Sequence, residues 1–195
     1  MRLRPVQMND AAFIVWLRNL DHAKGNVGDS AADIAGQGAW LANYFKREGD
    51  YYFIVETLGG IPVGTYGIYD IKGDTAESGR WIIRPGVPAA VPSGILLFDV
   101  AFKKLRLREI LGRTVASNHQ VLSINRKFGF RQIKVESGSQ MIGGKAVDMV
   151  HFILTAQDWS RAREGLLSLA RIAEVQVRDW EREEQRNQAL QRGKT

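Results

Sequence analysis

The sequence predicts an α/β (α+β) chain: a mixed, mostly antiparallel central sheet of about seven strands, helices on both faces, and one more helix at the C-terminus. Three observations carry this. Residues 51–84 hold three β-rich runs parted by glycine turns, the pattern of an antiparallel meander. Residues 92–135 then alternate helical and strand periods, which implies a β-α-β unit. Beyond Thr155 the apolar residues fall close to heptad spacing, as on a long helix.

Arg2 to Gln7 reads as a short strand. Asp10 is placed to cap a helix over Ala11 to Leu20, with Phe13, Ile14, Trp16 and Leu17 on its apolar face. Asp21 to Ser30, with Gly25 and Gly28, is a polar loop. A second amphipathic helix is expected from Ala32 to Arg47, carrying Ile34, Trp40, Leu41, Tyr44 and Phe45. Strands follow at Tyr51–Thr57, Ile61–Ile71 and Thr75–Arg84, turned at Gly59–Gly60 and Gly73. After the loop Pro85–Gly94, a helix is expected over about Pro92 to Leu105. A strand at Glu109–Ala116 and a helix at His119–Phe128, stopped by Gly129, come next. Phe130–Val135 and Ala146–Leu154 are the last strands, joined across Gly138 and Gly143–Gly144.

Composition narrows the chemistry. Hydrophobic residues make up 45% and charged residues 25%, an ordinary globular balance. No run reaches the ~18 apolar residues that a membrane span needs. MRLRPVQMND lacks the apolar stretch of a secretory signal, so a cytoplasmic location is expected. With no cysteine there is no disulfide, thiolate metal site or cysteine nucleophile. His22, His119 and His151 show no metal-ligand spacing, so no metal is expected. The formal charge is +6, and its location is informative. Between Phe98 and Val135, Lys103, Lys104, Arg106, Arg108, Arg113, Arg126, Lys127, Arg131 and Lys134 face only Asp99 and Glu109, for a local +7. Such a region suits a phosphate-bearing ligand. A solvated face explains it equally well. Nucleic acid is the weaker partner, because the aromatic and glycine pattern of an RNA-binding sheet is missing.

Two motifs add a resemblance. AESGRWIIRP, Ala76 to Pro85, leads through a short loop into a helix ending Val100–Ala101–Phe102. NHQVLSINRKFGF, Asn118 to Phe130, gives an asparagine, a helix and a Gly-Phe ending. In this order, and with these surrounding elements, residues 1–155 resemble the GNAT superfamily of N-acetyltransferases. Trp16–Leu17–Arg18–Asn19 and YYFIVE look like the branch that acetylates amino groups on nucleotide-linked sugars.

The resemblance implies direct transfer of an acetyl group from acetyl-coenzyme A (acetyl-CoA) to a primary amine within one ternary complex. That reaction needs a base for the amine, donors for the thioester oxygen, and an anion site for the pyrophosphate. The resemblance places the cofactor against Trp81, Ile82 and Ile83, the loop residues Gly86, Val87, Ala89, Ala90, Ser93 and Gly94, and Asn118 and Ser123. The loop reads PGVPAAVPSG where the family prefers an arginine or glutamine and spaced glycines, and Pro88 and Pro92 remove two N–H donors. The same loop would serve as a plain strand–helix connection. Asn118 suits a helix N-cap as well as a contact to the pantetheine arm. Ser123 fits either a cofactor contact or the helix surface.

Glu77 matches an acidic position of the family and is the preferred general base, through water; a solvated carboxylate at a strand end is the alternative. Asn125 stands where the family often has a tyrosine that protonates the thiolate, a proton an amide cannot give up. Tyr66 and Tyr69 line the acceptor site or serve as packing. Arg18 and Asn19 contact the acceptor or form the polar face of the first helix. A non-catalytic acyl-CoA-binding module is the competing function.

Residues 156–195 lie beyond the family core and form a helical extension. Trp159, Ala162, Leu166, Leu169, Ala173 and Trp180 would make one apolar stripe, which must pack on its own domain, a second copy or another partner. Two tryptophan anchors favour a homodimer to which this helix contributes.

Overall fold

The structure is a computed structural model that describes residues 1–27 and 33–192. Gly28, Ser30 and Ala32, named above in the first loop and the second helix, lie outside the described residues. In chain order the elements are β1 (Arg2–Pro5), α1 (Ala11–Arg18), α2 (Ile34–Tyr44), β2 (Tyr51–Glu56), β3 (Pro62–Lys72), β4 (Thr75–Ile83) and α3 (Ala90–Asp99). They continue with β5 (Glu109–Val115), α4 (His119–Lys127), β6 (Arg131–Ile142), β7 (Lys145–Thr155) and α5 (Ala156–Arg192). A 3-10 turn, Met8–Asp10, precedes α1, and a π-turn, Val100–Lys104, continues α3.

The seven strands form one sheet in the order β1-β2-β3-β4-β5-β7-β6. All neighbours are antiparallel except β4 and β5. Short turns make β2–β3, β3–β4 and β6–β7 antiparallel, and the α3 crossover makes β4 and β5 parallel. Helices cover both faces, as expected. On one, Ile14 and Ala11 of α1 and Leu41 and Tyr44 of α2 pack on Tyr52 and Ile54. On the other, Leu97 and Phe98 of α3, Phe128 after α4, and Trp159 and Leu166 of α5 close over Ile68, Ile110 and Leu154.

Three local readings are corrected. Asp10 does not cap α1 with its side chain. Its carboxylate accepts two hydrogen bonds from the Arg4 guanidinium, both 2.9 Å, and one from the Gln7 N–H at 2.7 Å. A bidentate arginine outcompetes a lone amide for the same oxygens. Gly138 is not a turn: β6 runs on to Ile142, and the register slips between Glu136 and Gln140. The slip is a bulge, held by Asp148, which accepts from Ser137 Oγ and Gly138 N at 2.8 Å each. The third helix begins at Ala90, so Pro92 sits within its first turn, where a missing N–H still breaks no intrahelical bond.

The stripe of α5 packs in cis. Trp159, Leu166, Ala170, Ala173 and Val177 are buried against the chain's own core, with Trp180 half-buried. Leu169, expected in the stripe, is 46% exposed. The buried set alternates steps of four and three residues, and small Ala170 lets α5 approach where Leu169 would hold it away. The face that suggested a homodimer is thereby occupied within one chain. Asp99 of α3 is the polar anchor: it accepts from Trp159 Nε1 at 3.2 Å, from Arg163 Nη2 at 2.7 Å, and pairs with Lys103 at 2.9 Å. Burial pushes the Asp99 carboxyl up, but the Arg163, Lys103 and Trp159 donors outweigh it and hold it below the ordinary value. Further along α5, Glu184 pairs with Arg84 at 3.1 Å, and the Arg84 guanidinium lies 5.0 Å from the Trp180 ring and 5.7 Å from the Trp16 ring.

Trp159→Ala should therefore cost about 3–5 kcal/mol in urea unfolding, whereas Ile172→Ala, on the exposed face of α5, should stay within about 0.5 kcal/mol. The folded Asp99 carboxyl lies below its unfolded value, so its stabilisation is complete above about pH 4 and lost as pH falls through the depressed value. Urea midpoints measured against pH should show this acid limb, and Asp99→Asn should flatten it.

Candidate active site

β4 and β5 pair only from Thr75–Ser78 to Glu109–Gly112. Beyond Ser78, β4 continues to Ile83 and β5 to Val115, with no pairing between them. Two parallel strands that part at their C-terminal ends open a cleft, and the helices that follow them start there. This is the switch-point geometry at which open sheets bind ligands. A cavity of about 860 Å³ fills the cleft and runs on beneath α1 and α2.

A bulge shapes its wall. Thr65 pairs with Ile82 and Gly67 with Gly79, so Arg80 and Trp81 together stand opposite Tyr66. Arg80 takes φ +55°, a left-handed conformation that costs a non-glycine residue free energy. The bulge throws the two side chains to opposite faces. Trp81 stacks on Tyr66, centroids 4.9 Å apart, on the α3 side. Arg80 reaches the α2 side, where Asp50 holds it bidentately, and it lies 5.3 Å from the Trp40 and Tyr52 rings and 4.4 Å from Tyr69.

Glu77, Asn125, Trp81, Ile82, Ile83, Ala90, Asn118, Arg18, Tyr66 and Tyr69 all line this one cavity, although they are scattered over several elements of the fold. Glu77 is part-buried and accepts at a single oxygen, Oε1, from Tyr69 Oη at 3.1 Å and Arg113 Nε at 3.0 Å. Its Oε2 makes no hydrogen bond among the described residues. Burial, and then the Glu77 charge, push the Tyr69 phenol up. Burial pushes Tyr66 up as well. Arg18 is drawn below the ordinary arginine value, first by burial and further by the charge of Arg80.

In the loop before α3, Gly86 adopts φ +78°, and α3 starts at Ala90; Ala90 lines the cavity, whereas Gly86, Val87, Ala89, Ser93 and Gly94 do not. The Ala89 N–H is taken by Val87 O at 2.8 Å and the Ser93 N–H by Ala89 O at 3.0 Å. With Pro88 and Pro92 lacking donors, Ala90 and Val91 are left as the N–H groups of the first turn. Val87, Ala89 and Ser93 are buried, and Ser93 Oγ bonds Ala90 O at 3.1 Å. Gly94 has a packing reason instead: a Cβ there would meet the Phe128 ring at 2.2 Å. Asn118 caps α4 by accepting from Val121 N at 3.2 Å, which leaves its side-chain N–H₂ for another acceptor. Ser123 is exposed, and Asn19 bonds Val15 O at 2.9 Å at the end of α1; neither lines the cavity.

Of the basic stretch, Arg113 alone lines the cavity. Lys103, Arg108, Arg131 and Lys134 pair with Asp99, Asp74, Asp158 and Glu136, while Lys104, Arg106, Arg126 and Lys127 stand at or beyond the C-terminal ends of α3 and α4. Cations are favoured there by the helix dipole. Sequence reasoning passed over Arg80, Trp40 and Tyr52, and counted Arg113 only as part of the stretch. The available signal was Arg80 itself, a charge inside an apolar strand between Gly79 and Trp81.

Residues 1–131 match the family model of the acetyltransferase (GNAT) domain. No curated protein sequence matches the chain significantly. Among solved structures, apo FdhC, a nucleotide-linked sugar GNAT, is 27% identical over 84% of this chain and 90% of its own, with a TM-score of 0.69. A point mutant of the spermidine N-acetyltransferase SpeG from Vibrio cholerae is 18% identical over 83% of this chain and 99% of its own, TM-score 0.73, a likeness of fold. With the family model spanning two-thirds of its length and the parted β4–β5 pair at its centre, the chain belongs to the GNAT acetyltransferase family.

Proposed function

We propose that the protein transfers the acetyl group of acetyl-CoA to a primary amine on a nucleotide-linked amino sugar, with Glu77 as the general base. The observation that carries this reading is the balance of charge around the acceptor side of the cavity. Among the described residues Arg18, Arg80 and Arg113 line it; Asp50 pairs with Arg80 and Glu77 with Arg113, which leaves an excess of one positive charge. A polyamine would bring several positive charges to a wall that already has an excess of them. An amine carried on a diphosphate would find guanidinium partners and aromatic surfaces instead. The resemblance to FdhC, itself a nucleotide-linked sugar GNAT, supports the same choice.

Acetyl-CoA supplies an acyl group activated as a thioester, and the residues present fit it. The parted strands leave room between β4 and β5, and the Ala90 and Val91 N–H groups at the start of α3 suit a pyrophosphate. On the acceptor side, Tyr69 and Arg113 pin Glu77 Oε1 and leave Oε2 to receive the amine proton, directly or through one water. Asn118 and Asn125 offer amide N–H groups from α4. Asn125 favours one rival reading, a module that binds acyl-CoA without turnover.

Saturating acetyl-CoA should raise the melting temperature, as for any ligand of the folded state; a flat response would leave the fold assignment standing and remove the function. Glu77→Gln should lower kcat by roughly 10²–10⁴ with little change in acetyl-CoA affinity. Thiol release absent from the wild type across a panel of amino sugars and polyamines, despite tight acetyl-CoA binding, would favour the non-catalytic module. Arg18→Met should raise KM for a nucleotide-linked amino sugar by about tenfold, the worth of one charged hydrogen bond, and should leave KM for an amino sugar without a phosphate unchanged.

A further inference from the structure

One buried side-chain atom among the described residues has no hydrogen-bond partner: Nε1 of Trp81. An indole N–H can only donate, and it has no second role to fall back on. Leaving such a group dry and unpaired destabilises a fold, so a polar atom in this state calls for an explanation. Its place supplies one. Trp81 sits at the β4 bulge, lines the cavity, and is fixed by the stack on Tyr66 and by Phe128, whose ring lies 6.0 Å away. The indole therefore has little freedom to swing to water. Tyr66 beside it is buried and lines the same cavity. Asn125 completes this wall from α4, itself buried. The wall of the β4–β5 gap thus holds one orphaned donor, buried in the ligand-free protein, on a residue that lines the cavity.

We propose that the Trp81 indole N–H is a hydrogen-bond donor to the acyl-pantetheine arm of the co-substrate, whose amide and thioester carbonyls are the acceptors it lacks. This rests on the reading of the cleft as an acetyl-CoA site and adds a side-chain contact to it. The donor is unpaired in the ligand-free protein and paired in the complex. Removing it costs the complex and does not cost the free protein. A purely structural tryptophan behaves in the opposite way.

The test uses the full chain, calorimetry and the indole ¹⁵N–¹H resonances of its five tryptophans. Trp81→Phe keeps a ring to stack on Tyr66 and deletes only the N–H edge. It should weaken acetyl-CoA binding by about tenfold, the net worth of one hydrogen bond, while binding of 3′,5′-ADP, which lacks the arm, stays unchanged. In the wild type, with resonances assigned on that protein, acetyl-CoA should move the Trp81 indole proton downfield and slow its exchange, whereas 3′,5′-ADP should leave it in place. Equal acetyl-CoA affinities of the variant and the wild type, or an unmoved Trp81 resonance at saturation, would overturn the proposal while the acetyl-CoA site stands. A wild type that binds no acetyl-CoA would overturn both. If the variant does not fold, the wild-type resonances decide alone.

Discussion

Everything in the site depends on a partial strand pairing. β4 and β5 are held together over four residues at their N-terminal ends and released beyond Ser78 and Gly112. The crossover through α3 makes them parallel, so both strands end at the same side of the sheet and both following helices begin there. What keeps the strands apart is visible on their outer sides. β4 stays paired with β3 through the bulge at Arg80–Trp81 as far as Ile83, and β5 stays paired with β7 as far as Val115. The cleft is therefore built from backbone geometry, and side chains only furnish it. Glu77 sits on the last paired residues of β4 and Arg113 on the first free residue of β5, so their ion pair marks the point where the strands part.

The sheet, its strand count and its helices on both faces could be read from the sequence because each rests on local signals: glycine turns, strand alternation and helical period. Tyr51–Thr57 and Glu109–Ala116 were placed within a residue for that reason. Gly138 was misread because a glycine at a bulge and one at a turn look alike in sequence, and only the Asp148 partner across the hairpin tells them apart. Register in the heptads of α5 was ambiguous in the same sense. Leu169 and Ala170 both continue the stripe from Leu166, and in the fold Ala170 is buried while Leu169 is exposed.

Glu77, Asn118 and Tyr69, singled out from the sequence, line the cavity, while the surroundings of Arg80 were not legible. Its partners Asp50, Trp40 and Tyr52 come from segments up to 40 residues away, and a clamp of this kind exists only once β2, β4 and α2 are assembled. The basic stretch misled for the complementary reason. Charges adjacent in sequence were dispersed by the fold among Asp74, Asp99, Asp158 and Glu136, which local counting could not pair with them.

The C-terminal helix has a consequence for motion. α5 runs roughly 55 Å along the face opposite α1, yet at its far end Arg84 is shared between the two sides, lying between Trp180 of α5 and Trp16 of α1 with Glu184 as its counter-ion. Arg84 is also the first residue after β4, where the chain turns toward the start of α3. This guanidinium acts as a clasp across the rim of the sheet. Lifting α1 from the rim would break the Arg84 contact with Trp16, while Trp180 and Glu184 of α5 keep the guanidinium in place. How far the cavity beneath α1 can open therefore depends on the chain's last helix as well as on the residues that line it.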